Sequence, residues 1–542
     1  MNEHAAILNR RWYLYLTEFF SGMAVMAVEL GASRLLAPYF SSSQIVWTII
    51  IGTIMIAMAL GNVYGGRAAD KNGDPGRLYG RILIAGVWIA AIPLAGKYVI
   101  LAVTGIMVIA INTWFLIWAA FAACMIIFVF PLFLLGTVTP SLVKYSVNSL
   151  DNNGRIVGTL GAWNTVGSII GTFLPTFVTI PAVGTAVTFL IFSGVLIVIA
   201  GAYYISSGKK KTPVILSAVL FLICAVFGNS DSFAFWEKDL TYEGESVYNY
   251  LQVRDTPQAT VLSTNVLFGV QSVSMKEGDL TGMYYDYALA APVMASFSEK
   301  ENPSALILGM GTGTWAMQLS KFFPGTRITG VEIDEDITKL AREYFGLDEE
   351  IEVYTYDGRA FLQSDKEKYD CIMVDAYRDI TIPFSMSSAE FFGMVRDHLE
   401  PGGVMVVNMN MHSDEPGNIN EYLTDTIASV FPCVVTADVP GSTNRELFAG
   451  DRDVIMSLEK IARRLAAGGG TGDAGRMEVL SAKMAQVASA AEIRQGGDLI
   501  LTDDKAPVEL LGMKVIDSLI RDEIVYYKDA FKRNGIKGLI GM

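Results

Sequence analysis

The feature that most constrains this chain is a series of long apolar segments confined to its first 228 residues. They lie near residues 13–38, 44–64, 79–96, 98–112, 114–137, 157–181, 184–205 and 213–228. A helix needs about 20 apolar residues to cross a bilayer, and the segments at 98–112 and 213–228 are shorter. Residues 1–228 are therefore predicted to form a multi-span helical membrane domain, with either six full spans and two short segments or eight spans.

Basic residues indicate how this domain is oriented. The loop after the second segment carries Arg67, Lys71, Arg77 and Arg81. Because Lys and Arg concentrate in cytoplasmic loops, this loop and the N-terminus are expected inside. Six spans also place Lys144 and Lys209–Lys211 inside, whereas eight place them outside. Both counts predict a multi-pass protein of the cell (inner) membrane with residues 229–542 in the cytoplasm.

The second half of the chain has a different pattern. Residues 229–300 contain short strand-like segments at 247–253 and 259–275, which predict a small β-rich lead-in. Strands then alternate with helical segments over residues 301–542, at 305–308, 328–333, 351–355, 371–374 and 404–408. Such alternation predicts an α/β Rossmann-like domain of the S-adenosylmethionine-methyltransferase type, with a parallel sheet between helices.

Chemistry in such a sheet gathers where the parallel strands end. The first strand is followed by a turn containing Gly309, Gly311 and Gly313, and Glu332 ends the second strand 21 residues after Gly311. Glycines let a ligand approach the backbone, and the carboxylate can accept hydrogen bonds from two ribose hydroxyls. Because the G-x-G-x-x-G spacing of dinucleotide sites is broken, the pattern favours an S-adenosyl ligand.

Composition excludes other classes of function. The formal net charge of −14 argues against a nucleic-acid partner. The four cysteines and three histidines are not at metal-ligand spacing, so no metal is expected. With so few histidines, the general base is expected to be a carboxylate.

Several motifs between residues 240 and 511 resemble the polyamine aminopropyltransferases, the spermidine synthase family, particularly its membrane-fused bacterial members. They are Tyr242-Glu243-Gly244-Glu245-Ser246-Val247-Tyr248, Val331-Glu332-Ile333-Asp334, Asp357-Gly358, Tyr369-Asp370-Cys371-Ile372-Met373-Val374-Asp375-Ala376 and the closing segment Leu501–Glu509. The resemblance implies transfer of an aminopropyl group from the co-substrate decarboxylated S-adenosylmethionine to an amine such as putrescine. The products would be spermidine or a related polyamine and methylthioadenosine.

The resemblance also implies roles for individual residues. Glu332 would hold the adenosyl ribose, Asp357 and Gly358 would meet the adenine, and Asp375 would be the catalytic acceptor. The residues expected to line the amine side are Tyr248, Asn249, Tyr377 and Asp379. If Asp375 is not the acceptor, Asp379 is the next candidate.

Two alternatives stay open at this point. Thr312 stands where soluble members of the family carry an aspartate, which favours a methyltransferase that uses ordinary S-adenosylmethionine. The loop 65–73 resembles the one between the second and third helices of major-facilitator transporters. The N-terminal half thus resembles part of such a transporter, and a polyamine transporter with a ligand-sensing domain is the second alternative. A homo-oligomer is compatible with the sequence.

Overall fold

The chain divides into two compact units in a computed structural model. The described residues are 6–111, 114–146, 153–228, 232–237, 239–266, 270–377, 382–410, 413, 415–466 and 474–534. The first unit comprises Met1–Phe235 with Glu523–Met542, and the second comprises Trp236–Asp522. The domain limits 1–228, 229–300 and 301–542 stay predictions.

The first unit is helical wherever it is regular. Its helices are α1 (Arg11–Phe40), α2 (Gln44–Lys71), α3 (Pro75–Ala110), α4 (Phe115–Ile127), α5 (Val129–Gly136), α6 (Val138–Ser146), α7 (Asn153–Leu174), α8 (Ile180–Ser206) and α9 (Thr212–Phe227). A π-helical turn, Pro175–Thr179, lies between α7 and α8. Local sequence determines where α3 begins. Asp74 caps the helix by accepting a hydrogen bond from the Gly76 N–H at 2.9 Å, and Pro75 occupies the first turn.

Five stretches of the described residues are long and apolar enough to cross a membrane, by length and composition. They are Arg11–Phe40, Gln44–Lys71, Pro75–Val108, Val129–Ser146 and Asn153–Ser206. The last has 54 residues and contains a non-helical glycine, Gly184, with a φ of 78°. The helices Phe115–Ile127 and Thr212–Phe227 are apolar but shorter.

The segments predicted separately at 79–96 and 98–112 form one continuous helix, α3. Lys97 separates the two apolar segments in the sequence. Lys97 instead lies within the helix, is only 8% exposed, and donates from Nζ to the Ser232 carbonyl at 2.7 Å. A charged side chain with a carbonyl partner is therefore accommodated without interrupting the helix.

Small residues bring α1 and α7 into close contact. A Cβ on Gly167 would lie 1.9 Å from the Phe19 carbonyl oxygen, and one on Gly171 would lie 2.2 Å from that of Met23. Only glycine permits this backbone approach, which is the usual way that apolar helices pack tightly in a membrane.

The second unit opens with a four-stranded antiparallel sheet. Its strands are β1 (Leu240–Glu245), β2 (Tyr250–Asp255), β3 (Ala259–Ser263) and β4 (Ser272–Met275), in the order β1-β2-β3-β4. Leu251, Val253 and Leu262 are fully buried and share a core with Ile337 and Leu340 of the following domain. This sheet is the predicted lead-in.

An eight-stranded sheet follows, in the order β12-β10-β11-β9-β8-β5-β6-β7. Its strands are β5 (Ser304–Leu308), β6 (Arg327–Glu332), β7 (Glu352–Thr355), β8 (Tyr369–Val374), β9 (Leu399–Met409), β10 (Cys433–Asp438), β11 (Arg445–Gly450) and β12 (Ala491–Arg494). The helices of the second unit are α10 (Tyr284–Ala288), α11 (Ala290–Met294), α12 (Thr314–Phe322), α13 (Glu335–Tyr344), α14 (Gly358–Ser364), α15 (Ala389–Asp397), α16 (Ile419–Ala428), α17 (Arg452–Ile455), α18 (Leu458–Ala466) and α19 (Ala474–Ala490). The last helix, α20 (Val508–Asn534), begins in the second unit and ends in residues assigned to the first.

The sheet confirms the predicted α/β fold class and adds an antiparallel part. Strands β5 to β9 pair in parallel, and every residue of β5 and β8 is buried, as expected for strands covered on both faces. Strands β11, β10 and β12 extend the sheet antiparallel to one another, beginning at β9. The short 439–444 connection between β10 and β11 requires an antiparallel pair, because a parallel pair needs a long crossover.

Candidate active site

The predicted catalytic and donor-binding residues lie at the carboxyl ends of neighbouring strands. The glycine turn follows β5, Glu332 ends β6, Asp357 follows β7, and Asp375 follows β8. Because β8, β5, β6 and β7 are adjacent in the sheet, these groups occupy one edge of it.

The glycine turn is built on positive φ angles. Gly309, Gly311 and Gly313 have φ values of 83°, 56° and 81°, which L-residues with a Cβ rarely adopt. A Cβ on Gly309 would lie 2.6 Å from the Ala376 Cα, so the turn also passes directly against the backbone after β8. The turn can therefore present bare backbone to a ligand.

Glu332 is buried and held by backbone donors. Its Oε2 accepts from the Gly311 N–H at 2.9 Å, and its Oε1 accepts from the Asp334 N–H at 3.1 Å. Burial raises the pKa of this carboxyl to about 7, although the two backbone hydrogen bonds lower it. Each oxygen keeps acceptor capacity, which is what a pair of ribose hydroxyls requires.

The lead-in sheet braces the end of β6 through Asp334. This carboxylate accepts from the Ser246 hydroxyl at 2.5 Å and from Asn249 Nδ2 at 2.8 Å. Asn249 thus holds the segment beside Glu332, and its contact with an amine stays a prediction. Tyr248 is half exposed, with its backbone N–H donating to Ser246 Oγ at 3.1 Å.

Asp357 and Gly358 form the start of α14. Asp357 is exposed and caps the helix by accepting from the Ala360 N–H at 2.9 Å. The next residue, Arg359, donates to both carboxylate oxygens of Asp503 at 2.6 and 2.5 Å. This bidentate ion pair ties the closing segment Leu501–Glu509 to the strand-end edge.

Asp375 receives two side-chain hydrogen bonds. Tyr284 Oη donates to its Oδ2 at 2.7 Å, and Asn408 Nδ2 donates to its Oδ1 at 2.8 Å. Burial raises the pKa of the carboxyl to about 7 against the opposing effect of these two bonds. The residue as a whole is only partly buried, and a raised pKa of this kind is typical of carboxyls at functional sites.

Tyr377 points its hydroxyl at the end of β9. The hydroxyl donates to the Asn408 carbonyl and accepts from the Asn410 N–H at 2.9 Å. Tyr377 lies near Asp375, and its contact with an amine stays a prediction. Asp379, the other residue predicted there, lies outside the described residues.

Three residues at this edge were not assigned a role from the sequence. Tyr284 and Asn408 hold Asp375, and Glu446 on β11 pairs across the strands with Asn408. Asn408 could have been found by the strand-end rule that located Asp375. For Glu446, the signal was an acidic residue followed by Leu447, Phe448 and Ala449 in an apolar strand.

Comparison with known proteins decides the family. Residues 287–440 match the model of the spermine/spermidine synthase domain. A probable polyamine aminopropyl transferase of Bifidobacterium longum is 54% identical over 346 residues, which cover 62% of this chain and 77% of the relative. The chain belongs to the polyamine aminopropyltransferases. Its resemblance to that family is thereby confirmed.

Other aminopropyltransferases are more distant. The polyamine aminopropyltransferase of Vibrio vulnificus is 25% identical over 261 residues, covering 47% of this chain and 82% of the relative. Among solved structures, a probable spermidine synthase from Corynebacterium glutamicum is similar with a TM-score of 0.37 and 20% identity, covering 47% of this chain and 96% of that one.

Proposed function

We propose that the second unit transfers an aminopropyl group from decarboxylated S-adenosylmethionine to an amine such as putrescine, giving spermidine or a related polyamine and methylthioadenosine. The observation that carries the proposal is the Asp375 carboxyl, held by Tyr284 and Asn408 at the edge that also bears Glu332 and the glycine turn. Family membership supports the same reaction.

The proposed reaction is a direct displacement. The nitrogen of a neutral amine attacks the aminopropyl carbon that is bonded to the sulfonium sulfur. A C–N bond forms as the C–S bond breaks. The electron pair of the C–S bond stays on sulfur, giving methylthioadenosine. Because the sulfonium is already a good leaving group, the protein mainly has to align the two reactants.

Asp375 is proposed to accept the proton that the amine loses. An alkylamine has a pKa of about 10.4 and is mostly charged at neutral pH, so it must lose a proton to become a nucleophile. A carboxylate whose pKa is raised to about 7 is a stronger base than an ordinary aspartate. The hydrogen bonds from Tyr284 and Asn408 fix the direction of its oxygens.

Glu332 and the glycine turn are proposed to bind the donor. The buried carboxylate of Glu332 would accept hydrogen bonds from the two ribose hydroxyls, and the turn at Gly309–Gly313 would let the adenosyl group approach the backbone. Asp357 and Gly358, at the next strand end, would meet the adenine. No metal enters the proposed reaction.

We further propose that the first unit spans the cell (inner) membrane and that residues 229–542 lie in the cytoplasm. Two ion pairs show which basic residues share one end of the helices. Lys144 Nζ lies 2.8 Å from Asp70 Oδ1, and Lys209 Nζ lies 2.6 Å from Asp74 Oδ1, so both lie beside the basic loop after α2. At the other end of α1 and α3, the Tyr39 hydroxyl donates to the Phe233 carbonyl and Lys97 Nζ donates to the Ser232 carbonyl. Because α9 runs between these two ends, the expectation that the loop after α2 lies on the same side as residues 229–542 is not supported.

Product analysis tests the proposed reaction. The purified full-length chain is incubated with decarboxylated or ordinary S-adenosylmethionine and a panel of amines, and the products are identified by mass spectrometry. We expect methylthioadenosine and an aminopropylated amine from the decarboxylated donor only. Formation of S-adenosylhomocysteine and a methylated acceptor from the ordinary donor would instead identify a methyltransferase.

A further inference from the structure

Asp286 is a fully buried carboxylate that the proposed reaction does not use. It lies in α10, and its exposed fraction is 0%. Its Oδ1 accepts from the Thr281 N–H at 2.8 Å and from the Thr281 hydroxyl at 2.9 Å. The same oxygen accepts from Gln318 Nε2 at 2.7 Å, and Oδ2 accepts from the Gly282 N–H at 2.7 Å. Hydrogen bonds to a charged acceptor are stronger than those between neutral groups, so Asp286 holds the start of α10 firmly.

Helix α10 needs such an anchor because it is short. It has five residues, Tyr284–Ala288. The loop before it contains two glycines with positive φ, Gly278 at 84° and Gly282 at 75°. A helix of one and a half turns is not stable by itself. The orientation of α10 is therefore set by its contacts with neighbouring elements.

The contact with Gln318 ties Asp286 to a well-packed part of the domain. Gln318 lies on α12, which buries Trp315, Leu319 and Phe322 in the main core. Because buried aromatic side chains leave little freedom to move, α12 is a fixed base. Asp286 thus connects the short helix α10 to that base.

Tyr284 and Asp286 point in different directions from α10. Residues two positions apart on a helix do not face each other. Tyr284 Oη donates to Asp375 Oδ2 at 2.7 Å, whereas Asp286 contacts the preceding loop and Gln318. An effect of Asp286 on Asp375 therefore passes through the position of Tyr284.

The Tyr284 hydrogen bond matters because of the groups that surround Asp375. The titratable groups facing this carboxyl are Tyr284 and Tyr285 on α10, Tyr377 after β8 and Glu446 on β11. Burial raises the pKa of Asp375 to about 7, and the hydrogen bonds from Tyr284 and Asn408 lower it. Loss of the Tyr284 bond should raise that pKa further, because the ionised form loses a donor.

We infer that Asp286 is a positioning residue that holds Tyr284 against Asp375, so that proton transfer from the amine depends on a carboxylate on another side of α10. This inference rests on the proposed aminopropyl transfer and on Asp375 as its proton acceptor.

The first test is the pH profile of turnover in the full-length Asp286→Asn protein with saturating donor and putrescine. An amide has one acceptor oxygen where the carboxylate has two, so the donors around residue 286 cannot all be satisfied. We expect turnover at pH 7 to fall about tenfold, as for loss of one hydrogen bond to a charged group. The pH of half-maximal turnover should move upward, with the donor Kd unchanged. Asp397→Asn, at an exposed residue of α15, is the matched control and should behave as wild type.

A double-mutant cycle separates positioning from a general loss of structure. Tyr284→Phe keeps the ring and removes the hydroxyl that contacts Asp375. If Asp286 acts through this hydroxyl, Asp286→Asn should lower turnover little further in the Tyr284→Phe protein. Losses that multiply in the double variant would overturn the inference, and so would an Asp286→Asn protein whose pH profile matches wild type.

Thr281→Val applies the same test more mildly, because it removes the hydroxyl that donates to Asp286. Its pH profile should move in the same direction by a smaller amount. If Asp286→Asn does not fold, this variant decides, and a Thr281→Val protein with the wild-type profile would overturn the inference. A wild-type protein inactive with every amine would overturn the proposed function instead.

Discussion

At the scale of single residues, the site is defined by two carboxyls in similar surroundings but with different partners. Glu332 is held by two backbone N–H groups, whereas Asp375 is held by the side chains of Tyr284 and Asn408. Burial raises the pKa of each to about 7. Glu332, held by backbone donors, is the proposed donor-binding group, and Asp375, which is partly buried, is the proposed proton acceptor.

The raised pKa of Asp375 predicts how stability depends on pH. Between its ordinary pKa of 3.8 and about 7, the folded state holds a proton on this carboxyl that the unfolded state has lost. Wild-type stability should therefore fall as pH rises through that window. Asp375→Asn lacks this contribution, so the margin of its melting temperature over that of wild type should grow from pH 5 to about pH 7 and then level off. Because Glu332 is present in both proteins, its own contribution to the pH dependence cancels in the comparison. A margin independent of pH would contradict the assignment.

Replacement of Glu332 should weaken donor binding. A carboxylate that accepts hydrogen bonds from two ribose hydroxyls contributes roughly 1.5–3 kcal/mol, so Glu332→Gln should raise the donor Kd about 10- to 150-fold. Calorimetric titration with decarboxylated S-adenosylmethionine measures this. Glu335→Gln, at an exposed residue of α13, is the control and should bind as wild type. Equal Kd values in the two variants would contradict the assignment of Glu332 to the ribose.

At the scale of elements, the parallel strands of the large sheet could be predicted from sequence, and its antiparallel strands β10, β11 and β12 could not. Strands β5, β6 and β8 are short apolar runs that end in a glycine turn or an acidic residue, and these signals are local. The contact of Tyr284 with Asp375 depends on how α10 packs on the sheet, and the position of Glu446 depends on the register of β11 against β9. Both are non-local, so the acceptor side was the part that sequence reasoning missed.

The turn after β5 should not tolerate a side chain. Gly309→Ala places a Cβ against the Ala376 backbone at a φ of 83°, whereas Gly325→Ala has a φ of 87° with no atom within 4 Å. The control should lose about 1–2 kcal/mol of stability from the positive φ alone. Gly309→Ala should lose clearly more and also lose donor binding. Thermal melting and calorimetry of both variants measure this, and equal losses of stability with intact donor binding would contradict the role of the turn.

At the scale of the whole molecule, the apolar pattern predicted a helical first unit and could not fix every helix limit. A hydropathy profile reports how apolar each segment is, whereas a helix continues wherever its backbone hydrogen bonds are kept. That is why α3 runs through Lys97, and why the segment at 114–137 is divided between α4 and α5. The transporter resemblance of the loop 65–73 stays a prediction.

The proposed topology predicts which positions are protected in intact cells. A cysteine introduced at the exposed Lys366 should resist an impermeant thiol reagent until the membrane is opened. The native cysteines, Cys124, Cys224, Cys371 and Cys433, are all buried and should give little background. Labelling of the introduced cysteine from outside intact cells would contradict a cytoplasmic position for residues 229–542.

The central claim is that Asp375 accepts the proton of the attacking amine, and turnover of Asp375→Asn tests it most directly. The variant keeps the shape of the side chain and leaves Glu332 and the glycine turn unchanged, so the Kd for decarboxylated S-adenosylmethionine should match wild type. Removal of a general base lowers the rate about 10²- to 10⁴-fold, and we predict that loss in methylthioadenosine formation with putrescine. Near-normal turnover in a folded variant that binds the donor would contradict the claim and direct the search to Asp379.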